Sequence, residues 1–266
     1  VNRGLKVSKN HVALVNTDTE LPPMWLERLM MPIISGTKVA SSTPFTNCGT
    51  ICSFPDFCKD NTLFEDINLI DIDKTFQTIV PCYTELPTGV GFCMGMNRDA
   101  INEIGILDEE TFAKGYGEEN DWCQRAIKAG YKNVHVENLY VYHKHGGSFL
   151  SEEKKKLLER NSRLLSEKHP NYNNDVMDYC NSDPVKGIRK YAMLKLLLHK
   201  IDKIEIYFDH SSGGGATNYL EKKINKRILE GKAIIIIRYD MFKQKYIINF
   251  EYKKYDISYY FNFTNE

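Results

Sequence analysis

Short apolar runs alternate with polar stretches punctuated by Gly and Pro along most of the chain. His11–Val15 is an apolar run closed by Asn16-Thr17-Asp18-Thr19, the pattern of a buried strand ending in a polar turn. Pro22-Pro23 then open a helix on which Trp25, Leu26, Leu29 and Met30 recur at i, i+3, i+4 spacing. Lys38–Ser42 reads as a second short strand. Residues 43–61 hold two Pro, three Cys and several small polar residues, which predicts a long loop. Phe64–Val80 is expected to be helical in part. Thr88-Gly89-Val90-Gly91 leads into a strand at Phe92–Met96. Asn97-Arg98-Asp99 caps a helix that reaches Ile104 and stops at Gly105. Phe112–Gly117 is a glycine-punctuated loop. Glu118–Ala129 is a helix with Trp122, Arg125, Ala126 and Ala129 on its period, ended by Gly130. Strands follow at Asn133–Val136 and Leu139–Tyr142. After them come His143-Lys144-His145-Gly146-Gly147-Ser148 and a charged helix from Ser151 to about Lys168.

Strands alternating with helices imply an α/β sheet covered on both faces. Composition shifts near residue 182. Asn171–Pro184 is rich in Asn and Asp and reads as a linker, with a helix through Lys195–Lys200 beyond it. A second α/β unit is expected after that: strand Ile204–Phe208, loop Asp209–Gly215, helix Ala216–Leu229 and strand Ala233–Arg238. A hairpin from Lys245–Tyr252 to Ile257–Phe263 ends the chain. Val1 without a methionine and the aromatic alternation at 259–263 suggest a fragment of a longer protein.

The charge balance narrows the partners. Lys+Arg and Asp+Glu both number 35, so bulk electrostatics gives no reason to bind nucleic acid or anionic lipid. Seven cysteines, no signal peptide and no apolar run long enough for a bilayer predict a reduced, cytoplasmic setting. Cys48, Cys52 and Cys58 lie close together. Their spacing is not that of paired C-x-x-C zinc ligands, so buried free thiols are expected.

Three stretches carry candidate chemistry. Asn16-Thr17-Asp18 sits at the carboxyl end of a strand, where ligands of open α/β sheets gather. Asp18 there either holds a hard cation together with phosphate oxygens or caps the next helix. Glu118-Glu119-Asn120-Asp121 follows a Gly-Tyr-Gly loop. Its carboxylates either complement a helix macrodipole or take a proton from an attacking hydroxyl. His143, directly after a strand, is either a surface residue or a metal ligand. In the second unit, Gly213-Gly214-Gly215 could aim backbone N–H groups at an anion or make a plain tight turn.

The order of these stretches resembles glycosyltransferase family 2, the GT-A fold. VALVNTDTELPPMWLERL, PTGVGFCMGMNRDAINEIGILDE, GYGEENDWCQRAIKAGY and VYHKHGGS follow one another over roughly residues 1–165. The resemblance implies a GT-A domain at 1–168 lacking its first strands, linker and helices at 169–200, and a partial Rossmann-like unit at 201–266. The stretch Phe208–Ala216 resembles the opening of a GT-B-type transferase, as in multi-module bacterial enzymes of surface polysaccharide synthesis. For the first domain the resemblance implies an inverting transfer from a nucleotide-diphosphate sugar to a glycan or lipid-linked sugar acceptor. Asp18 and His143 would hold Mg²⁺ or Mn²⁺. Glu119 would be the base, with Asp121 second and Glu118 beside them. Asn16, Gly89, Gly91 and Trp122 would contact donor or acceptor, and Tyr116 would offer an apolar face. A lipid-linked acceptor would bring the enzyme to the inner face of the membrane. The competing expectation is a non-catalytic module that binds nucleotide or carbohydrate.

Overall fold

The computed structural model describes residues 1–112, 116–144, 152–210 and 212–262. The chain divides into two compact units, Val1–Arg189 and Lys190–Glu266.

The first unit begins with α1 (Asn2–Val7), β1 (Val12–Val15), β2 (Thr19–Glu20), α2 (Trp25–Ser35) and β3 (Val39–Phe45). Next come α3 (Leu69–Phe76), β4 (Tyr83–Leu86), β5 (Cys93–Met96), α4 (Arg98–Ile104), α5 (Glu109–Phe112) and α6 (Glu118–Lys128). β6 (Lys132–Tyr140), β7 (Tyr142–His143), α7 (Glu152–Lys168) and α8 (Tyr172–Ser182) complete it, and α9 (Lys186–Leu198) spans the division between the units. Five strands form a mixed sheet in the order β1-β5-β3-β6-β4. β3 and β6 are parallel; the other pairings are antiparallel.

Both faces of this sheet are covered, which is why its strands read as apolar runs without alternation. Met94 and Met96 of β5 point into a cluster with Trp122, Cys123, Ala126 and Ile101, from α6 and α4. Cys93 points the other way, into a cluster with Leu29, Met30 and Ile33 of α2. Gly95 also faces α2. A Cβ there would lie 2.4 Å from Ser42 Oγ and 3.0 Å from Ile33, so only glycine lets helix and sheet close at that point.

Local signals hold where the chemistry is local. Asn97 caps α4 by accepting from the Asp99 N–H at 2.9 Å, and Gly105 ends it with φ 86°. Two stretches differ from expectation. Residues 132–140 form one strand, although Glu137-Asn138 read as a break. Both are buried: Glu137 accepts from the Thr84 N–H at 3.1 Å, and the Asn138 carbonyl accepts from Arg28. Within residues 171–184, expected as linker, Tyr172–Ser182 form α8. Val176, Tyr179 and Cys180 pack on Ile51, Cys52, Phe57 and Leu86.

The second unit holds a four-stranded sheet in the order β11-β10-β9-β8. Its elements are β8 (Ile204–His210), α10 (Gly215–Leu229), β9 (Ala233–Asp240), β10 (Lys245–Tyr252) and β11 (Tyr255–Asn262). β8, α10 and β9 make a parallel βαβ unit. β10 and β11 add the expected antiparallel hairpin. Leu220, Ile224 and Ile228 of α10 pack on Tyr207, Ile234 and Ile236. Across the described residues, no helix is long and apolar enough to cross a membrane.

Candidate active site

The site is built where β1 ends. The Asn16 N–H donates to the Phe92 carbonyl at 2.8 Å, which fixes the exit of β1 against the entry of β5. The chain then turns, with Thr19 Oγ1 donating to the Asn16 carbonyl at 2.8 Å, and β2 pairs antiparallel with β7. This pairing sets Thr19 opposite His143 and brings two distant acid–base groups together. His143 Nε2 lies 3.2 Å from Asp18 Oδ1. The Asp18 side chain is 48% exposed, whereas that of His143 is 10% exposed.

Three contacts hold His143, two on its backbone and one on its ring. Asn47 Oδ1 accepts from the His143 N–H at 2.8 Å, and Asn47 Nδ2 donates to its carbonyl at 2.9 Å. The Phe92 ring stacks on the imidazole with centroids 5.4 Å apart and planes at 21°. The Lys144 N–H donates to the Asp18 carbonyl at 2.7 Å, which fixes the turn from the other side.

The second part is the first turn of α6. Gly117, with φ 133°, precedes it. Residues four apart share a helix face. Glu119 and Cys123 therefore both face the segment before β5: the Gly89 N–H donates to Cys123 Sγ at 3.1 Å, and a Cβ on Gly91 would meet the Glu119 carboxylate at 3.7 Å. Asn120 and Gln124 face the preceding residues. Asn120 Nδ2 donates to Thr88 Oγ1 and to the Tyr172 hydroxyl, and Gln124 Nε2 to the Pro87 carbonyl.

Burial raises the Glu119 pKa above its ordinary 4.5, and the neighbouring Glu118 carboxylate raises it further. Backbone N–H groups of Glu119 and Gly117 oppose the shift without cancelling it. Glu118 is half-buried beside it.

Gly91-Phe92 thus touches both parts of the site. Gly91 faces Glu119, and Phe92 stacks on the imidazole that contacts Asp18. Asn16 is exposed at the same edge.

Other candidate residues lie elsewhere. Asp121 is fully buried and is contacted by Arg125, Lys168 and His169, each at 2.8 Å. Burial alone would raise its pKa, but the His169, Lys168 and Arg125 hydrogen bonds outweigh burial and lower it below 3.8. A carboxylate so neutralised and enclosed cannot reach an acceptor hydroxyl, so Asp121 does not fit the role of base that the resemblance implied. Trp122 is also fully buried, its Nε1 donating to the Gly105 carbonyl at 2.8 Å. It is core and offers no face to a sugar. Gly89 is explained by packing, since a Cβ there would lie 3.0–3.2 Å from Met94, Ser41 and Thr43. Tyr116 is 42% exposed with φ 69°. His145, Gly146-Gly147-Ser148 and Ser211 lie outside the described residues.

Asn47 and Tyr172 are site residues that sequence reasoning missed. Asn47 lies 96 residues from His143, inside a stretch read as loop, and nothing local marks it. Tyr172 could have been found from Tyr172, Val176, Tyr179 and Cys180, an i, i+4, i+7, i+8 stripe within the Asn/Asp-rich segment.

A scan against protein-family models finds none that matches the chain, and a search of curated proteins finds no match either.

Proposed function

We propose that the first unit is a GT-A-type sugar transferase of the inverting kind, acting on a nucleotide-diphosphate sugar and a glycan or lipid-linked acceptor. The observation that carries this reading is the Gly91-Phe92 segment, which has the raised-pKa Glu119 on one side and the Asp18–His143 pair on the other.

The donor atoms present fit the expected cation. Asp18 Oδ1 and His143 Nε2 converge to 3.2 Å, a hydrogen-bond contact that also lets both atoms face a single cation. The carboxylate oxygen suits Mg²⁺ or Mn²⁺, and of the two the imidazole nitrogen favours Mn²⁺. Among the described residues no group of three or more His, Cys, Asp or Glu gathers for a metal, so diphosphate oxygens and water would complete the shell. When bound, the cation would act as a Lewis acid on the charge that develops on the leaving nucleoside diphosphate.

The protein's own groups have separable tasks. Asp18, half in water, offers a charged oxygen to the cation. Asn47 fixes the His143 backbone, and Phe92 stacks on its ring. Gly91 leaves room beside Glu119, whose carboxylate takes the proton from the acceptor hydroxyl as that oxygen attacks the anomeric carbon. A base works best with a pKa near the operating pH, and burial moves Glu119 in that direction.

The test has two arms. In titration calorimetry, a nucleoside diphosphate should bind at least about tenfold more tightly with Mn²⁺ than without. Asp18→Ala should remove that difference, a change of about 1.4 kcal/mol or more. In a transfer assay over a panel of nucleotide sugars, Glu119→Gln should reduce turnover about 10²-fold or more while nucleotide binding persists. Manganese dependence that survives in Asp18→Ala overturns the metal assignment. Tight binding with no turnover of any donor by the unsubstituted protein favours a binding module instead.

A further inference from the structure

Cys58 and Cys180 are 122 residues apart in sequence, yet their sulfurs lie 3.2 Å apart, with the Cys58 thiol donating to Cys180. Cys58 is exposed in the loop after β3, and Cys180 is half-buried near the end of α8. Both flanks of the pair are pinned. Phe57 and Tyr179, the residues preceding the two cysteines, meet edge to face with centroids 6.2 Å apart. The Arg189 guanidinium lies 4.1 Å from the centre of the Phe57 ring and pairs with Asp183, three residues beyond Cys180. The sulfurs are therefore held together by packing on either side and do not meet as two loose side chains.

We infer that Cys58 and Cys180 are a dithiol that closes to a reversible disulfide, with a small-molecule disulfide such as oxidised glutathione as the oxidant. The sulfurs need to approach by about 1.2 Å to reach the covalent distance of about 2.0 Å. One protein thiolate attacks the glutathione disulfide and expels a glutathione thiolate. The second protein thiolate then attacks the mixed disulfide and expels the other glutathione. Two protein thiols become one disulfide, and one glutathione disulfide becomes two glutathione thiols. Partial desolvation of the Cys58 thiol and its contact with Cys180 push its pKa up to about 12, which slows attack by Cys58 itself at neutral pH.

The other five cysteines are poorer candidates. Cys52, Cys93 and Cys123 are buried, Cys48 is half-buried with its sulfur accepting from Asn47 Nδ2 at 2.9 Å, and Cys82 is exposed just before β4. Closure would tie the loop after β3 to α8, whose first residue, Tyr172, accepts the hydrogen bond from Asn120 next to Glu119. The inference does not depend on the transferase reading, because the bond can be detected without any assay of activity.

The experiment is thiol mapping of the reduced full chain after exposure to oxidised glutathione, with blocking of remaining thiols and non-reducing peptide mass spectrometry. The expected result is a peptide linking Cys58 to Cys180, a loss of two hydrogens in mass, and a glutathione adduct on Cys82. The thermal midpoint of the first unit should rise by about 10 °C and fall back on reduction. Separate glutathione adducts on Cys58 and Cys180, or a link from either to another cysteine, would overturn it. Cys58→Ser and Cys180→Ser should each lose the link and the gain in midpoint. The mapping of the unsubstituted chain decides the matter even if a variant folds poorly.

Discussion

His135 gives a direct test of the electrostatics of the first unit. It lies on β6, fully buried, with its ring 4.1 Å from that of Phe45. Neither ring nitrogen has a hydrogen-bond partner among the described residues. Burial lowers its pKa from 6.5 to about 3, and the Arg189 guanidinium adds to the shift. The folded state therefore keeps the ring neutral, while the unfolded chain takes up a proton near the ordinary value. Stability from this residue is intact above about pH 6.5 and falls with acidification until the folded pKa is reached. At about 1.4 kcal/mol per pH unit, the loss between pH 6.5 and pH 5 is about 2 kcal/mol. His135→Leu breaks no hydrogen bond and nearly conserves volume, so its cost at pH 7 should stay below about 1.5 kcal/mol. Urea unfolding of both proteins at pH 7 and pH 5 measures the difference. The natural protein should lose about 2 kcal/mol more than the variant over that interval. Equal losses would mean that the ring is protonated in the folded state, and the argument from desolvation would be wrong.

Three further substitutions separate packing from chemistry. Asp121→Asn removes the charge facing Arg125, Lys168 and His169. Lys168 keeps Asp108 and Arg125 keeps two backbone carbonyls, so the cost should be about 2–3 kcal/mol at pH 7, at the low end for a broken buried ion pair. Because its folded pKa is lowered, this contribution is present above 3.8 and disappears as pH falls through the folded value, which a pH series of urea midpoints detects. Gly89→Ala should destabilise by about 1–3 kcal/mol through crowding of Met94, Ser41 and Thr43. Gly91→Ala meets only ordinary contact with Glu119 at 3.7 Å, so its thermal midpoint should move by less than about 2 °C while Glu119 loses working space. A large midpoint shift for Gly91→Ala would mean that its surroundings are tighter than described.

What the sequence revealed depended on whether the deciding contact is local. The cap at Asn97, the stop at Gly105, the helix starting at Glu118 and the βαβ unit from Ile204 depend on neighbours within a few residues. The continuity of β6 depends on Thr84 and Arg28, which lie 53 and 110 residues from the groups they contact. The Asn/Asp content of 171–184 favours turns in isolation. In the folded protein Tyr172, Val176, Tyr179 and Cys180 find partners, and packing overrides propensity. In the candidate site, the strand-end position marks Asp18 and His143 individually. Their meeting depends on the pairing of β2 with β7, two-residue strands too short to leave an alternation to read.

Helical geometry divides the acidic start of α6 into two roles that its sequence leaves together. Successive residues rotate by about 100° around the axis, so Glu119 and Asp121 point about 200° apart. The face of Glu119 continues through Cys123 and meets Gly89 and Gly91, and at Gly91 the missing side chain leaves the carboxylate room to work. The face of Asp121 continues through Arg125 into a closed network with Lys168 and His169. The electrostatics follows: burial with a like-charged neighbour raises one carboxyl, and donated hydrogen bonds lower the other. A raised carboxyl beside open backbone suits proton transfer, whereas a lowered one enclosed by cations holds the helix to α7. Removal of the charge at 119 with a longer carboxylate at 121, in the double variant Glu119→Gln/Asp121→Glu, should therefore not restore proton transfer. The longer side chain at 121 still points into the cation network, and a transfer assay that recovered activity in this variant would show that the two faces are not distinct.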